Sequence, residues 1–279
     1  MFRRLFQIIL GWYVIWFLVG LVAVAIPYES PVGHWEDLLF MILASAVIFL
    51  DAVRRIGWGA TIVVLLWIGV LSGGIEMFGA KTGIPFGEYG YTGRFGPRIL
   101  GELPWAIPLA WWVVLYPLLL FFNMLAREKM LKPGLIPLCV AIMATMVDVS
   151  LEPVATLVCG YWHWESSGPY YGVPMLNFFG WFFTALVIVW PLQYFIGRIF
   201  MEGYIAPGSL FLPLAVLGSV LTSFLVAGLV NGLWLAAAWT AFLTLIIAVI
   251  VVRFAWPRRD VFLLTDYGRY QPGYRPRKY

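Results

Sequence analysis

An all-α, polytopic membrane protein with about eight transmembrane helices and both termini on the cytoplasmic side is the fold that three features of this chain predict. The first is composition. The chain has 279 residues, of which 62% are hydrophobic and 11% charged, and its mean hydropathy is +0.90. A soluble domain carries roughly 25% charged residues, so this much apolar surface needs lipid as its solvent. The second is periodic length, because apolar windows near the ~20-residue spanning length recur along the chain. The third is charge asymmetry, set out below.

The windows, in order, are Leu5–Ile26, Leu38–Val53, Trp58–Phe78, Leu103–Leu125, Leu135–Cys159, Pro174–Ile196, Leu210–Leu229 and Leu233–Val252. The second is short and carries Asp51 near its end. The last two are separated only by Val230, Asn231 and Gly232, which predicts a tight helical hairpin. The first is too long for a signal-peptide core and no small-residue cleavage site follows it. Residues 1–255 read as one transmembrane domain and residues 256–279 as a basic, Pro- and Gly-broken cytoplasmic tail near anionic lipid heads.

With the N-terminus inside, Arg3, Arg4, Arg54, Arg55, Arg127, Lys129, Lys132, Arg198, Arg253 and six basic residues of the tail are cytoplasmic. Only Lys81, Arg94 and Arg98 are outside. Fifteen against three is a strong positive-inside bias and a miscounted span would scramble it. The net charge of +4 therefore reports topology, not a nucleic-acid footprint. On the same topology Glu76, Glu88, Asp148, Glu152 and Glu165 fall on the outer half or in outer loops, and the inner half reads as apolar apart from its flanking basic residues.

Intramembrane acids are costly and as a rule functional. Glu76 lies with Gly69, Ser72, Gly73 and Gly79 at helical spacing, a small-residue face that lets helices approach closely. A boundary acid that merely reaches the interface is the plainer alternative. Asp148 and Glu152 are i and i+4 on one helix and share a face, continued by Thr145 and Thr156. Pro153 has no N–H, so the carbonyl of Val149 is left without its helical partner. A structural salt bridge to Lys81, Arg94 or Arg98 is the plainer reading of this pair. Two acids one turn apart repel when both are ionised, and an acid kept neutral is a usable proton donor. Asn177, Gly180 and Thr184 form a further stripe, in which Asn177 could orient a water or a carboxylate, or make a plain interhelical hydrogen bond. Trp105, Trp112 and Tyr116 align on another span, as core or as an aromatic wall able to stabilise a cation. Glu88 sits in a loop framed by Tyr89 and Tyr91.

Other chemistries find little support. Cys139 and Cys159 are twenty residues apart on one predicted helix, about 30 Å, too far for a disulfide within the chain. His34 and His163 cannot build a multi-histidine iron box, and no metal site is predicted. There is no GxGxxG before a helix, no GxxxxGK[ST], no paired aspartate-rich motif and no Ser-His-Asp or Cys-His nucleophile.

Four segments together carry a resemblance: Gly74–Thr92 (GIEMFGAKTGIPFGEYGYT), Gly101–Trp112 (GELPWAIPLAWW), Asp148–Ala155 (DVSLEPVA) and Tyr161–Trp181 (YWHWESSGPYYGVPMLNFFGW). In order and spacing they resemble the membrane carotenoid-biosynthesis family that contains carotenoid hydratases of acyclic end groups, including the bisanhydrobacterioruberin hydratase and γ-carotene hydratase types. The resemblance covers roughly Gly69 to Trp190. It implies addition of water across the terminal double bond of an acyclic (ψ) carotenoid end group, without a cofactor. Lycopene, γ-carotene or a C50 relative would be the substrate, and other carotenoid enzymes and membrane lipid its neighbours in the plasma membrane.

Site residues follow from the chemistry and not from the family. Protonating a trisubstituted alkene gives a tertiary cation, which needs a neutral acid, a base for water and π faces. Asp148 or Glu152 is expected as proton donor, with the other, or Glu76, as base. Tyr89, Tyr91, Trp112 and Tyr171 are expected to line the end-group pocket, with Asn177 and Glu88 nearby. A carotenoid cyclase would begin with the same protonation. A lipid or carotenoid carrier, or a small transporter, would instead use the acids to bind a proton or cation.

Overall fold

Helix formation here follows from long apolar runs interrupted only by short Gly-, Pro- and charge-bearing segments. The computed structural model describes residues 2–25, 35–202, 211–250 and 252–253. His34 and the basic tail from Trp256 lie outside the described residues. The described residues form seven α-helices: α1 (Phe2–Ala25), α2 (Trp35–Thr82), α3 (Ala106–Arg127), α4 (Ile136–Leu157), α5 (Met175–Glu202), α6 (Phe211–Val230) and α7 (Trp234–Ile250). Among the described residues six helices are long and apolar enough to cross a membrane, and α7 is a shorter apolar helix. The protein is an all-α polytopic membrane protein.

The 48 residues of α2 would reach about 72 Å if straight, more than twice the hydrocarbon thickness. The helix is broken at Gly57, whose φ of 80° and ψ of 167° are not helical. Glycine is the residue that adopts such a backbone at little cost. The two halves then lie side by side. Consecutive residues of α3 reach both: the Trp111 indole N–H donates to Glu76 Oε1 at 3.0 Å and that of Trp112 to the Ser45 carbonyl at 3.4 Å. The windows Leu38–Val53 and Trp58–Phe78 are these two halves.

The small face of α2 takes the partners its shape allows. A Cβ at Gly73 would stand 3.4 Å from Leu103 and 3.5 Å from Pro108, so the start of α3 packs on it. Nearer the end of α2, Phe86 is wedged between Gly79 and Gly180 of α5. A Cβ on either would come within 2.7 or 2.5 Å of its ring. Phe86 is buried there and ties the α2–α3 connection to α5.

Two short antiparallel ribbons cover this end of the bundle. β1 (Tyr89–Tyr91) pairs with β4 (Trp162–Trp164), in the register Tyr89 opposite Trp164, Gly90 opposite His163 and Tyr91 opposite Trp162. β2 (Arg98–Ile99) pairs with β3 (Leu103–Pro104). Side chains alternate faces along a strand. The two Tyr and two Trp therefore share one face, while Gly90 and the exposed His163 share the other.

The half of the bundle away from the ribbons, expected to be apolar, is not wholly so. Asp51 and Arg55 form a buried ion pair at 2.5 Å. Asn123 and Gln193 exchange two amide hydrogen bonds, of 3.0 and 3.1 Å, between α3 and α5. The sequence pattern hid both because each pair is one or two polar residues in a long apolar run, with the partner a turn or a helix away.

Candidate functional site

A cavity of about 870 Å³ lies under the β1–β4 ribbon, within the ~300–1,000 Å³ range of small-molecule sites. Its wall is mostly aliphatic and aromatic, with contributions from α1, α2, α3, α4, α5 and α6. Glu76, Asp148 and Glu152 all reach it, with Asn177. Glu36, Asp37 and Ser223 are the other polar lining residues outside the aromatic and sulfur groups, and no Lys, Arg or His lines it among the described residues. The three acids are close enough to act on one another electrostatically.

Each carboxylate is held by neutral donors. Glu76, on the small face of α2, accepts from Trp111 on Oε1 at 3.0 Å. Its Oε2 accepts from the Tyr89 and Tyr91 hydroxyls at 2.8 and 2.9 Å. The Tyr89 hydroxyl is also 3.1 Å from the Glu76 carbonyl. Glu152 Oε2 accepts from the indole N–H groups of Trp162 and Trp164, each at 3.2 Å. Asp148 Oδ2 accepts from the Asn177 amide at 2.7 Å. One ribbon thus supplies four donors, two Tyr to one acid and two Trp to another. This is the direct consequence of strand alternation in YGY and WHW.

Burial, and next the Glu76 carboxylate, push both ribbon phenols upward from the ordinary tyrosine value of 10.0. They stay protonated, and so remain donors, across the neutral and moderately alkaline range.

The Pro153 notch is also resolved. The carbonyl of Val149, deprived of its helical donor, accepts from the Tyr170 hydroxyl at 3.0 Å. This ties the aromatic loop after β4 to the turn of α4 that carries Asp148 and Glu152. Neither acid of that pair meets a base. Lys81 pairs with Glu102 at 3.4 Å, and Arg98 donates to the carbonyls of Tyr91 and Thr92 at 2.6 Å.

Three expected site residues are placed elsewhere. Trp112 is fully buried and does not line the cavity; its ring lies tilted beside that of Tyr116, with centroids 4.6 Å apart. Its neighbour Trp111 takes the cavity side, stacked on Trp181 at 4.1 Å. One residue on a helix is a 100° rotation, and two adjacent Trp leave hydrophobic periodicity unable to choose. Tyr171 has a positive φ of 52° and its hydroxyl accepts from the Leu235 N–H at 3.1 Å, near the start of α7. The exposed Glu88 does not line the cavity. Trp162, Trp164, Trp111 and Trp181 were not singled out from the sequence. The signal available was the matching alternation of YGY and WHW. Among the described residues no cluster of three or more His, Cys, Asp or Glu side chains is arranged to hold a metal ion.

Residues 36–249 match the family model described as "Carotenoid biosynthesis protein". The chain belongs to the carotenoid biosynthesis protein family. It is similar to a bisanhydrobacterioruberin hydratase of Haloarcula japonica, with 30% identity over 125 residues. That stretch is 45% of this chain and 42% of the relative, so the match spans less than half of either protein. No solved structure matches the chain. A place in carotenoid biosynthesis fits what the cavity offers, a long apolar wall with acids at its surface.

Proposed function

We propose that the protein is a carotenoid hydratase, adding water to the terminal double bond of an acyclic end group to give a tertiary alcohol. The observation that carries this is the group Glu76, Asp148 and Glu152 under the ribbon, among the carboxylates that meet one apolar cavity, held by neutral donors and with no basic lining side chain among the described residues. A polyene fits an apolar wall. A base-free acid cluster suits a reaction whose intermediate is a carbocation, because opposite charge stabilises it and the aromatic faces add to that. The name of the Haloarcula relative points the same way.

In this reading a neutral carboxylic acid protonates the alkene, water adds to the tertiary cation, and a second carboxylate takes the proton from that water. Alkene and water become alcohol, and no redox partner enters. The ribbon shields the cation from bulk water while its four donors hold the acids in place. The protein would lie in the plasma membrane with both termini cytoplasmic. The halves of α2 would be separate crossings, making eight in all. Lycopene, γ-carotene or a C50 acyclic carotenoid is the substrate class.

Expression in a bacterium that accumulates lycopene or γ-carotene tests it directly. The expected pigment is heavier by one water at one or both ends. An isomer of unchanged mass would make the protein a cyclase, and no new pigment from any acyclic carotenoid would end the reading.

A further inference from the structure

We propose that the three carboxylates have separate roles: Asp148 gives the proton to the alkene, Glu152 takes the proton from the attacking water, and Glu76 exchanges no proton and stands as the fixed counter-charge to the cation. The proposal rests on the hydration reading above. What carries it is the kind of donor each carboxylate meets.

An indole N–H can only donate. Glu152 Oε2 receives two of them, from Trp162 and Trp164. That oxygen is therefore fixed as an acceptor, which suits a carboxylate waiting to receive a proton. Both indoles stand on β4, whose register against β1 sets their direction. Glu76 is enclosed further. One indole N–H meets Oε1 and two phenol hydroxyls meet Oε2, so donors occupy both oxygens. Three of its four lone-pair positions are thus taken, which makes it the worst placed of the three acids to carry and deliver a proton. Asp148 differs from both. Its hydrogen bond is the one from Asn177, at 2.7 Å, on Oδ2. No indole or phenol holds it, and it lies one helical turn from Glu152.

The cycle then balances. The Asp148 O–H bond breaks as a C–H bond forms, leaving the Asp148 carboxylate and a tertiary cation. A water oxygen lone pair forms the C–O bond. Glu152 removes a proton from that water, giving the neutral alcohol. The proton on Glu152 passes back to Asp148 one turn away, so nothing is consumed but alkene and water. Trp162 and Trp164 are positioning residues, acting through Glu152.

Turnover in D2O separates the roles, because protonation can be read without hydration. Wild-type protein and variants are given an acyclic carotenoid, and mass analysis measures both the alcohol formed and deuterium entering the recovered alkene. Glu152→Gln is expected to hydrate about 100-fold more slowly or worse, yet to return deuterated alkene as the cation loses a proton back to Asp148. Asp148→Asn is expected to do neither. Trp164→Phe is expected to raise the ratio of exchange to hydration, a change that a mere loss of folded protein would not produce. Exchange in Asp148→Asn but not in Glu152→Gln, or equal loss of both activities in both variants, overturns the assignment. A wild-type protein that forms no alcohol from any acyclic end group overturns the hydratase reading instead, and is a different result.

Discussion

The ribbon-covered end of the bundle and the end away from it both bury polar side chains, and they do so differently. Away from the ribbon two pairs are matched in kind. Asp51 meets Arg55, and Asn123 meets Gln193 through two reciprocal hydrogen bonds. Under the ribbon Glu76, Asp148 and Glu152 meet only neutral donors, and the cavity they share has no basic lining residue among the described ones. The ion pair neutralises two charges within one turn of α2, and the amide pair ties α3 to α5. A cluster of acids without a base is a poor stabiliser, since like charges repel and burial penalises each. Its retention makes sense as chemistry.

The contrast is open to direct attack. The largest expected effect is under the ribbon. Glu76→Gln removes the counter-charge while keeping shape, and activity should fall about 100-fold or more. Thermal stability in detergent should be unchanged or higher. A large drop in stability with full activity per folded molecule would reverse the roles assigned to the two halves. The mirror experiment is Arg55→Met, which leaves Asp51 buried without its partner at 2.5 Å. Removing one partner of a buried ion pair costs about 3–5 kcal/mol, towards the lower end here because Arg54 also acts on Asp51. The melting temperature should drop, while hydration per folded molecule holds.

A middle-sized effect is expected at Gly180, where helix packing and the cavity wall meet in one contact. Gly180→Ala sets a methyl 2.5 Å from the Phe86 ring and 2.9 Å from the Pro85 carbonyl. Overpacking of this kind costs about 1–3 kcal/mol. Because Phe86 also lines the cavity, both stability and activity should fall together. Gln193→Leu should be milder, about 1–3 kcal/mol for the Asn123 amide oxygen left unpaired in the core, because the Asn123 amide N–H still donates to the Leu119 carbonyl at 2.8 Å, with activity per folded molecule intact.

The smallest effect concerns pH. Tyr89 and Tyr91 are raised above the ordinary value of 10.0 by burial and by Glu76. A phenol that holds its proton more tightly when folded adds stability that is fully present below pH 10. That stability declines as pH rises beyond the unfolded value, because only the unfolded state then releases the proton. Unfolding followed between pH 7 and 9 should show no change attributable to these two residues, and Tyr89→Phe with Tyr91→Phe should flatten the fall above pH 10.

Much of this was legible in one dimension. Long apolar windows, separated by basic loops on one side, state a helical membrane protein, because lipid forces every backbone group to be satisfied within its own segment. The spacing of Asp148 and Glu152 placed both on one face, since i and i+4 meet on any α-helix. The missing N–H of Pro153 announced a free carbonyl at Val149, although not that Tyr170 would take it. Trp111 against Trp112 was beyond the sequence, because hydrophobic periodicity cannot rank two adjacent indoles. Tyr171 was taken for a cavity residue by its place in an aromatic loop, whereas its backbone turns it towards α7.

Apolar runs and local helical spacing are properties of neighbouring residues, so the sequence alone determined the all-α membrane class and the acidic turn of α4. Tertiary structure alone decided which donors meet which carboxylate. Four of those donors stand on two three-residue strands that pair across some seventy positions, and that pairing depends on how α2, α3 and α4 pack rather than on any local preference of YGY or WHW.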